Sequence, residues 1–330
     1  MSIFELSEAN AGEYLRSSCR VGETPVCREF GGGVSNSVIL VESNGSRLVL
    51  KQSLPQLRVE DEWLADRSRI LRERDGLVEA SDLLPDGWVP KVLRSDEENF
   101  VFAMEAFSEQ ATDWKTLLLS RDLDPQLARR AGIALGLTIR GSWQSERLAE
   151  TFGDCQAFDQ LRTDPYSRTI ARRHPDIASQ VHDWIGETSE VHLALTHGDW
   201  SPKNMVVDDH RMIFIDYECV HFGDPSYDAA FLLNHLILKA FHAASADFLE
   251  LASQVWTWTM AALPAPALDE FESRSARHLG FLMLARVDGK SPVEYLANED
   301  VRDRVRQTAK NLVEARAQTI QECLAAIPVP

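Results

Sequence analysis

The stretch Thr196-His-Gly-Asp-Trp-Ser-Pro-Lys-Asn-Met-Val-Val-Asp-Asp-His-Arg-Met-Ile-Phe-Ile-Asp216 carries the strongest signal in the sequence. Two apolar runs flank a polar turn, which is the pattern of a β-hairpin. Counting outward from the turn pairs Asn204 with Ile215, so Asp216 is expected beside Asn204, with Asp199 in the preceding loop. Carboxylate and amide oxygens are suitable ligands for Mg²⁺. The spacing predicts a magnesium site, although a surface hairpin with ordinary polar ends fits it equally well.

A glycine-rich turn and a strand lysine precede this hairpin. The turn reads Glu29-Phe-Gly-Gly-Gly-Val-Ser-Asn-Ser-Val38, and its glycines would let backbone N–H groups approach a phosphate. No Gly-Lys-Ser/Thr follows, so it is not a Walker A loop, and a plain glycine-rich turn also explains it. Lys51 ends an apolar strand, where a buried lysine needs a phosphate or an acidic partner such as Glu73. A solvated lysine at a sheet edge is the alternative.

A further motif, Phe222-Gly-Asp-Pro-Ser-Tyr-Asp228, comes just before an apolar run. An aspartate followed by proline, here Asp224 and Pro225, is typical of the start of a helix. Asp228 then falls in the first helical turn, where an acidic side chain is favoured. Helix capping alone explains both acidic residues.

Taken in order, these motifs make the sequence similar to the aminoglycoside phosphotransferase and choline kinase family, which has the protein-kinase-like fold. The resemblance rests on the series H-G-D-x-x-x-x-N, then I-D, then G-D-P-x-x-D, preceded by the glycine-rich turn and Lys51. It implies a two-lobed α+β fold. A small β-rich N-terminal lobe, residues 1–107, would bind the nucleotide, and a larger helical lobe, residues 108–330, would hold the catalytic loop and the substrate pocket.

The sequence patterns agree with this division, because β-rich sequence gives way to helix-rich sequence near Phe107. Two apolar runs joined by Asn44-Gly45 predict a hairpin in the first part of the chain. Helical sequence then runs from about Glu60 to Val78, rich in Arg, Glu and Leu, before two more predicted strands.

The resemblance also implies roles, which follow the general chemistry of phosphoryl transfer. Asp199 would accept or orient the proton of the attacking hydroxyl, and Asn204 and Asp216 would hold Mg²⁺ on the phosphates of ATP. Lys51 would contact the phosphates and pair with Glu73. Asp228 would brace the catalytic loop. The other residues implied at the nucleotide are Gly32, Gly33, Ser35 and Asn36 over the phosphates, and Glu105 to Phe107 at the adenine.

Within the family, the segment Leu50-Lys-Gln-Ser-Leu-Pro-Gln-Leu-Arg58 and the nearby Glu62-Trp63 resemble the methylthioribose kinase branch. Asp216-Tyr-Glu218 points the same way, because it is a D-x-E, as in that branch, where protein kinases have D-F-G. The resemblance implies that Glu218 reaches a second metal or the substrate. It also implies that an arginine of the helical lobe, for which Arg286 is the candidate, contacts a sugar substrate.

Composition limits the other classes of function. The 330 residues include 51 acidic and 34 basic side chains, a net charge of −17. Proteins that bind nucleic acid or anionic membranes are expected to be basic, so neither partner is expected. The beginning of the sequence does not resemble a signal peptide, and the five cysteines contain no C-x-x-C pair. We therefore expect a cytoplasmic location, with no prediction of an oligomeric state.

The sequence thus predicts a phosphotransferase that uses ATP and Mg²⁺ and moves the γ-phosphate to a hydroxyl of a small molecule. The acceptor would be a sugar-like metabolite, an amino alcohol or an aminoglycoside. A catalytically silent nucleotide- or partner-binding module of the same fold is the alternative, which the combination of Lys51, Asp199, Asn204 and Asp216 argues against. A metal-dependent hydrolase is a third option, but the nine histidines include no H-x-H or H-E-x-x-H.

Overall fold

The computed structural model describes residues 4–18, 25–30, 35–58, 63–209 and 211–328. The chain divides into two compact units. The first consists of Met1–Ala111 and Ile213–Glu218, and the second of Thr112–Met212 and Cys219–Pro330. The chain therefore returns to the first unit for six residues that include Asp216 and Glu218. The predicted division at Phe107 contains no such return.

The first unit is built on a five-stranded antiparallel sheet with the strand order β1-β2-β3-β5-β4. The strands are β1 (Val26–Glu29), β2 (Asn36–Ser43), β3 (Ser46–Ser53), β4 (Val92–Asp96) and β5 (Val101–Glu105). Asn44 and Gly45 join β2 to β3 with φ angles of 51° and 74°. Two positive φ angles are what a two-residue hairpin turn requires, so the predicted hairpin is confirmed.

Two helices accompany this sheet, α1 (Ala11–Ser18) and α2 (Arg69–Leu83). Leu15 of α1 shares a buried core with Ile39 and Leu50 of the sheet, and α2 packs against β3, β4 and β5. The prediction of a helix from Glu60 was wrong over residues 63–68, because α2 begins at Arg69. The backbone N–H of Leu57 donates to the carbonyl of Trp63 at 2.9 Å and both side chains are buried, so packing holds these two residues. Residues 59–62 lie outside the described part of the chain.

The second unit is mostly helical. Its helices are α3 (Trp114–Leu119), α4 (Pro125–Ser142), α5 (Glu146–Phe152), α6 (Gln156–Phe158), α7 (Thr169–Arg173), α8 (Ala178–Ser189), α9 (Ser226–Ala243), α10 (Asp247–Ala262), α11 (Leu268–Asp288), α12 (Glu299–Ala315) and α13 (Ile320–Ala325). A π-helix, Asp159–Arg168, joins α6 to α7. Helix α9 is buried from Ser226 to Phe241 and is the centre of the unit, with α10, α11 and α12 packed against it.

Short strands position the loops of the second unit. They are β6 (Thr112–Asp113), β7 (Ala194–Thr196), β8 (Met205–Asp208), β9 (Arg211–Phe214) and β10 (His221–Gly223). β7 pairs with β10, and the order of the other sheet is β6-β8-β9, so β8 and β9 form the predicted hairpin. The chain passes into the first unit within β9. In the described part of the chain, no helix combines the length and apolar character needed to span a bilayer.

Candidate functional site

In the first unit, Lys51 lies between two carboxylates. Its ammonium donates to Glu73 Oε1 at 2.6 Å and to Asp216 Oδ1 at 2.5 Å. Lys51 points from β3, Glu73 comes from α2, and Asp216 from the returning segment. The side chains of Lys51 and Glu73 are 7% and 1% exposed, so the ion pair is shielded from water. The structure therefore brings the predicted partners Lys51 and Glu73 together and adds Asp216.

The charge on Lys51 is stabilised by its surroundings. Burial opposes the charged form, but the carboxylates of Asp216 and Glu73 outweigh this effect and raise the pKa of Lys51 above its usual value. Burial raises the pKa of Glu73, and the Lys51 ammonium opposes that shift. Asp216 has a φ of 71°, an uncommon conformation for a residue other than glycine. Such conformations are concentrated at functional sites.

A second cluster of the first unit is centred on Glu218, whose side chain is 5% exposed. Ser35 Oγ donates to its carboxylate at 2.8 Å, Asn36 Nδ2 at 3.0 Å and Arg69 Nε at 3.3 Å. The structure thus joins Ser35 and Asn36, expected at the phosphates, to Glu218, expected at a metal or substrate. Arg69 was missed, because it is 149 residues from Glu218 and belongs to no motif. Gly32 and Gly33 lie outside the described residues.

The residues expected at the adenine lie where β5 ends. The backbone N–H of Glu105 donates to the carbonyl of Lys91 at 3.0 Å, and the Glu105 carboxylate accepts from the Lys91 N–H at 3.2 Å. Arg47 donates to the carbonyl of Phe107 at 3.0 Å. These contacts fix the segment that leaves the sheet.

In the second unit, Asp228 holds the loop that follows β7. Its two carboxylate oxygens accept from the backbone N–H groups of His197 at 2.6 Å and Gly198 at 2.8 Å. Burial raises the pKa of Asp228 to about 7, although both hydrogen bonds favour the charged form. Asp228 therefore braces the His-Gly-Asp loop from the first turn of α9, as the resemblance implied.

Asp199, at the end of this loop, is held by three donors. Its Oδ2 atom accepts from Arg162 at 2.7 Å, from Lys203 at 2.9 Å and from the Asn204 amide at 2.8 Å. Arg162 also donates to the Gly198 carbonyl at 2.9 Å. Sequence reasoning missed Arg162, because its π-helical segment belongs to none of the motifs. Lys203 could have been found, since it stands four residues after Asp199 in a tight turn.

Gly198 is the one position in this loop that requires glycine. Its φ is 77°, and a Cβ there would lie 2.7 Å from Cys219 Cβ. We expect Gly198→Ala to lower the free energy of unfolding by about 1–3 kcal/mol, because the strained conformation and the overlap act together. Gly186 is the matched control, since it lies in α8 with no atom within 4 Å of an added Cβ. Gly186→Ala should stabilise the protein by about 0.5–1 kcal/mol. Urea unfolding of both variants measures the difference, and equal stabilities would contradict this account.

Asp224 lies at the start of α9, but Pro225 and not Asp224 is the N-cap, so the predicted capping position was wrong by one residue. Its Oδ1 atom accepts from Ser226 N at 3.0 Å and from Ser226 Oγ at 2.7 Å, and Arg274 Nε lies 3.1 Å from Oδ2. Burial alone would raise its pKa, but His278, Arg274 and Ser226 hold the pKa of Asp224 below its usual value.

Several cations of the second unit surround His235 on α9. Burial lowers the pKa of His235 well below its usual value, and Arg286, Lys239, Lys203 and Lys115 lower it further. Arg286, the candidate sugar contact, donates to Tyr166 Oη at 2.9 Å and also to Ser291. Of these cations, Lys203 pairs with Asp199 in the His-Gly-Asp loop and Lys115 pairs with Glu294, so two of the four have acidic partners.

The family model described as the phosphotransferase enzyme family matches residues 26–264. The chain belongs to this family. The chain is similar to the methylthioribose kinase of Escherichia coli O45:K1, with 26% identity over 258 residues, which are 69% of this chain and 61% of that protein. The chain thus matches less than two thirds of the length of this relative.

Solved structures show the same protein-kinase-like fold. The ADP-bound aminoglycoside phosphotransferase APH(2″)-Ib aligns with a TM-score of 0.53 and 17% identity, covering 96% of this chain and 99% of that one. A choline/ethanolamine kinase family protein from Mesorhizobium loti aligns with a TM-score of 0.51 and 18% identity, covering 97% and 99%. The predicted family and fold class are therefore confirmed.

Proposed function

We propose that this protein is a small-molecule O-kinase, which transfers the γ-phosphate of ATP to a hydroxyl group. The observation that carries this proposal is the Lys51 ammonium, buried and charged, with Glu73 at 2.6 Å. A strand lysine paired with a helical glutamate is the arrangement that positions nucleotide phosphates in kinases. A silent module of the same fold is the second candidate, but a buried ion pair is often no more stabilising than apolar residues of the same volume, so stability alone does not account for Lys51 and Glu73.

The chemistry we assign to the second unit is proton removal. The oxygen of the acceptor hydroxyl attacks the γ-phosphorus, the bond from that phosphorus to the ADP oxygen breaks, and the hydroxyl proton passes to the Asp199 carboxylate. Arg162, Lys203 and Asn204 hold this carboxylate by one oxygen, so its orientation is fixed before the substrate binds. A fixed base lowers the barrier because it needs no reorientation in the transition state.

The residues present suit Mg²⁺, which would supply positive charge at the phosphates. In the first unit, Asp216 offers a carboxylate. In the second unit, Asn204 Nδ2 donates to the Asp199 backbone carbonyl and to its carboxylate, at 2.9 Å and 2.8 Å, which leaves the amide oxygen as the end available to a metal. Proteins usually hold Mg²⁺ by one or two such oxygens together with substrate phosphates. Asn204 and Asp216 are therefore the metal ligands that we propose.

For the acceptor, we propose a neutral or anionic hydroxyl compound. Arg162 and Lys203 contact Asp199, and Lys203 is also one of the cations around His235. A positive environment at the base disfavours a substrate that carries several amino groups. The similarity to methylthioribose kinase, whose named substrate is a sugar, supports the same acceptor class. The net charge of −17 does not oppose this choice, because it does not locate the charges.

The test is ADP production from Mg-ATP over a panel of acceptors, with Asp199→Asn as the blank. The panel contains methylthioribose and other free sugars, homoserine, choline and gentamicin. Because contacts between like charges cost several kcal/mol, we expect kcat/KM for the best neutral sugar to exceed that for choline or gentamicin by at least ~tenfold.

Two other outcomes would be informative. Gentamicin or choline as the best acceptor would contradict the proposed acceptor class and leave the kinase activity standing. Nucleotide binding with no ADP production above the blank, for any acceptor, would favour the silent module.

A further inference from the structure

The second unit contains a cavity that is lined by Arg162 but not by the proposed base Asp199 or the proposed metal ligand Asn204. Its volume is about 260 Å³. The wall is formed by the π-helix Asp159–Arg168, the end of α8, β10, the start of α9 and the middle of α11. Within the described part of the chain, Asp199, Asn204 and Arg286 are absent from this wall. The cavity is therefore separate from the proposed catalytic loop.

Four of the residues that line the wall are Phe, Trp or Tyr. Phe158 meets Tyr227 edge to face with ring centroids 4.9 Å apart, and Trp184 stacks on Phe281 at 6.2 Å. Aromatic rings favour offset-stacked or edge-to-face contact with another flat ring. A planar aromatic ligand therefore suits this wall better than a flexible chain or a sugar.

One hydrogen-bonding group of the wall, Tyr227 Oη, lacks a partner among the described residues. Trp184 Nε1 donates to His278 Nδ1 at 3.1 Å, so Nδ1 is the unprotonated nitrogen of the neutral ring and Nε2 carries the hydrogen. Nε2 faces the Asp224 carboxylate at 3.6 Å and helps to lower the pKa of Asp224, so it already has an acidic partner. A buried donor without an acceptor is unfavourable, and a ligand nitrogen or oxygen could accept from Tyr227 Oη.

The charged groups of the wall already have protein partners. Arg168 pairs with Asp159 at 2.8 Å, Asp224 with Arg274 at 3.1 Å, and Arg162 with Asp199 at 2.7 Å. A charged ligand would have to break one of these ion pairs before it could form an ion pair with the wall. An uncharged ligand would leave all three intact.

The size of the cavity limits the ligand further. A cavity of about 150 Å³ accommodates benzene. In proportion to its larger volume of about 260 Å³, this cavity accommodates a ligand of roughly ten non-hydrogen atoms. We propose that the cavity binds an uncharged, planar, bicyclic heteroaromatic compound with a hydrogen-bond acceptor in its ring.

Arg162 connects this site to the catalytic loop. It lines the cavity, and the same side chain contacts Asp199 and the Gly198 carbonyl. A bound ligand that fixes Arg162 therefore also affects the position of Asp199. This kinetic consequence rests on the proposed function, whereas binding itself does not.

Binding is tested with quinoline as the probe, by ligand-observed NMR titration of the full-length protein. Ile185 lines the cavity and Asp183 is an exposed residue of the same helix outside it. Ile185→Trp should fill the cavity and weaken quinoline binding by at least ~tenfold, because the ligand and the indole need the same volume. Asp183→Trp, the matched control, should bind as the wild type does. Thermal unfolding verifies that both variants are folded.

Protection of a cysteine from alkylation tests independently where quinoline binds. Cys155 lines the cavity and Cys27 is a half-buried cysteine of the first unit. Quinoline should slow the alkylation of Cys155 by iodoacetamide, read by peptide mass spectrometry, and leave Cys27 unaffected. Absence of quinoline binding, equal affinity in wild type and Ile185→Trp, or equal protection of both cysteines would each overturn the proposal. None of these readouts depends on kinase activity.

Discussion

Asp199→Asn is expected to lower turnover by roughly 10²–10⁴, the usual effect of losing a positioned general base. Asparagine keeps the shape of the side chain, but its amide cannot accept the proton of an attacking hydroxyl. ATP binding should change little, because the nucleotide contacts that we propose in the first unit do not involve Asp199. The measurement is steady-state ADP production with the best acceptor, together with the dissociation constant for Mg-ATP.

The same substitution should also lower stability. Arg162 is 7% exposed at its side chain and loses its carboxylate partner, which for a buried ion pair costs about 3–5 kcal/mol. Asp208→Asn is a control, because Asp208 is a buried carboxylate of β8 that pairs with Arg211 at 3.3 Å. It should reduce stability without a comparable loss of turnover. A folded Asp199→Asn protein with turnover near that of the wild type would show that Asp199 is not the base.

The parts of the site that could be predicted are those fixed by local chemistry. Asn44-Gly45 predicts a hairpin because both residues tolerate positive φ angles. Asp224 before Pro225 predicts a helix start because the side chain can accept from the first free N–H groups. A lysine at the end of an apolar strand needs an acidic partner, and Glu73 occupies that place.

The parts that could not be predicted depend on packing between distant segments. Arg162 reaches Asp199 from a π-helix that contains Pro165, and π-helices have no periodic signal in a sequence. Glu218 accepts from residues far away in the chain, among them Ser35 and Arg69. Over the described residues 63–68 the turns expected for α2 do not form, and the buried Trp63 accepts at its carbonyl from the Leu57 N–H. Helix propensity is a weak prior that such packing overrides.

The net charge can be counted from the sequence, but the positions of the charges in the structure cannot. The chain carries −17, yet the His-Gly-Asp loop of the second unit lies among Arg162, Lys203 and the cations around His235. Local potential at a site depends on the nearest charges, since charges beyond about 10 Å are screened at moderate salt. We therefore infer the acceptor class from the charged side chains near this loop and not from the composition of the chain.

Lys51→Met is the second substitution with a large expected effect. Methionine keeps most of the volume but removes the ammonium that lies between Glu73 and Asp216. We expect turnover to fall by roughly 10²–10³, the cost of removing one fixed donor that stabilises developing charge. We also expect the free energy of unfolding to fall by about 3–5 kcal/mol, because Glu73 stays buried without its cation. Lys91→Met, at an exposed lysine of the same unit, should change stability by no more than about 0.5 kcal/mol.

A double-mutant cycle separates the ion pair from the chemistry. Glu73→Gln alone removes one acid and leaves Lys51 paired with Asp216. If Lys51→Met destabilises the protein by disrupting this buried pair, the two substitutions are not additive. The double variant should then lose about 0.5–3 kcal/mol less free energy of unfolding than the two single variants lose in sum. Turnover should stay low in the double variant, because restored stability does not restore a charge at the phosphates. Additive stabilities would mean that Lys51 and Glu73 do not act as a pair, and recovered turnover would mean that Lys51 has no role in phosphate transfer.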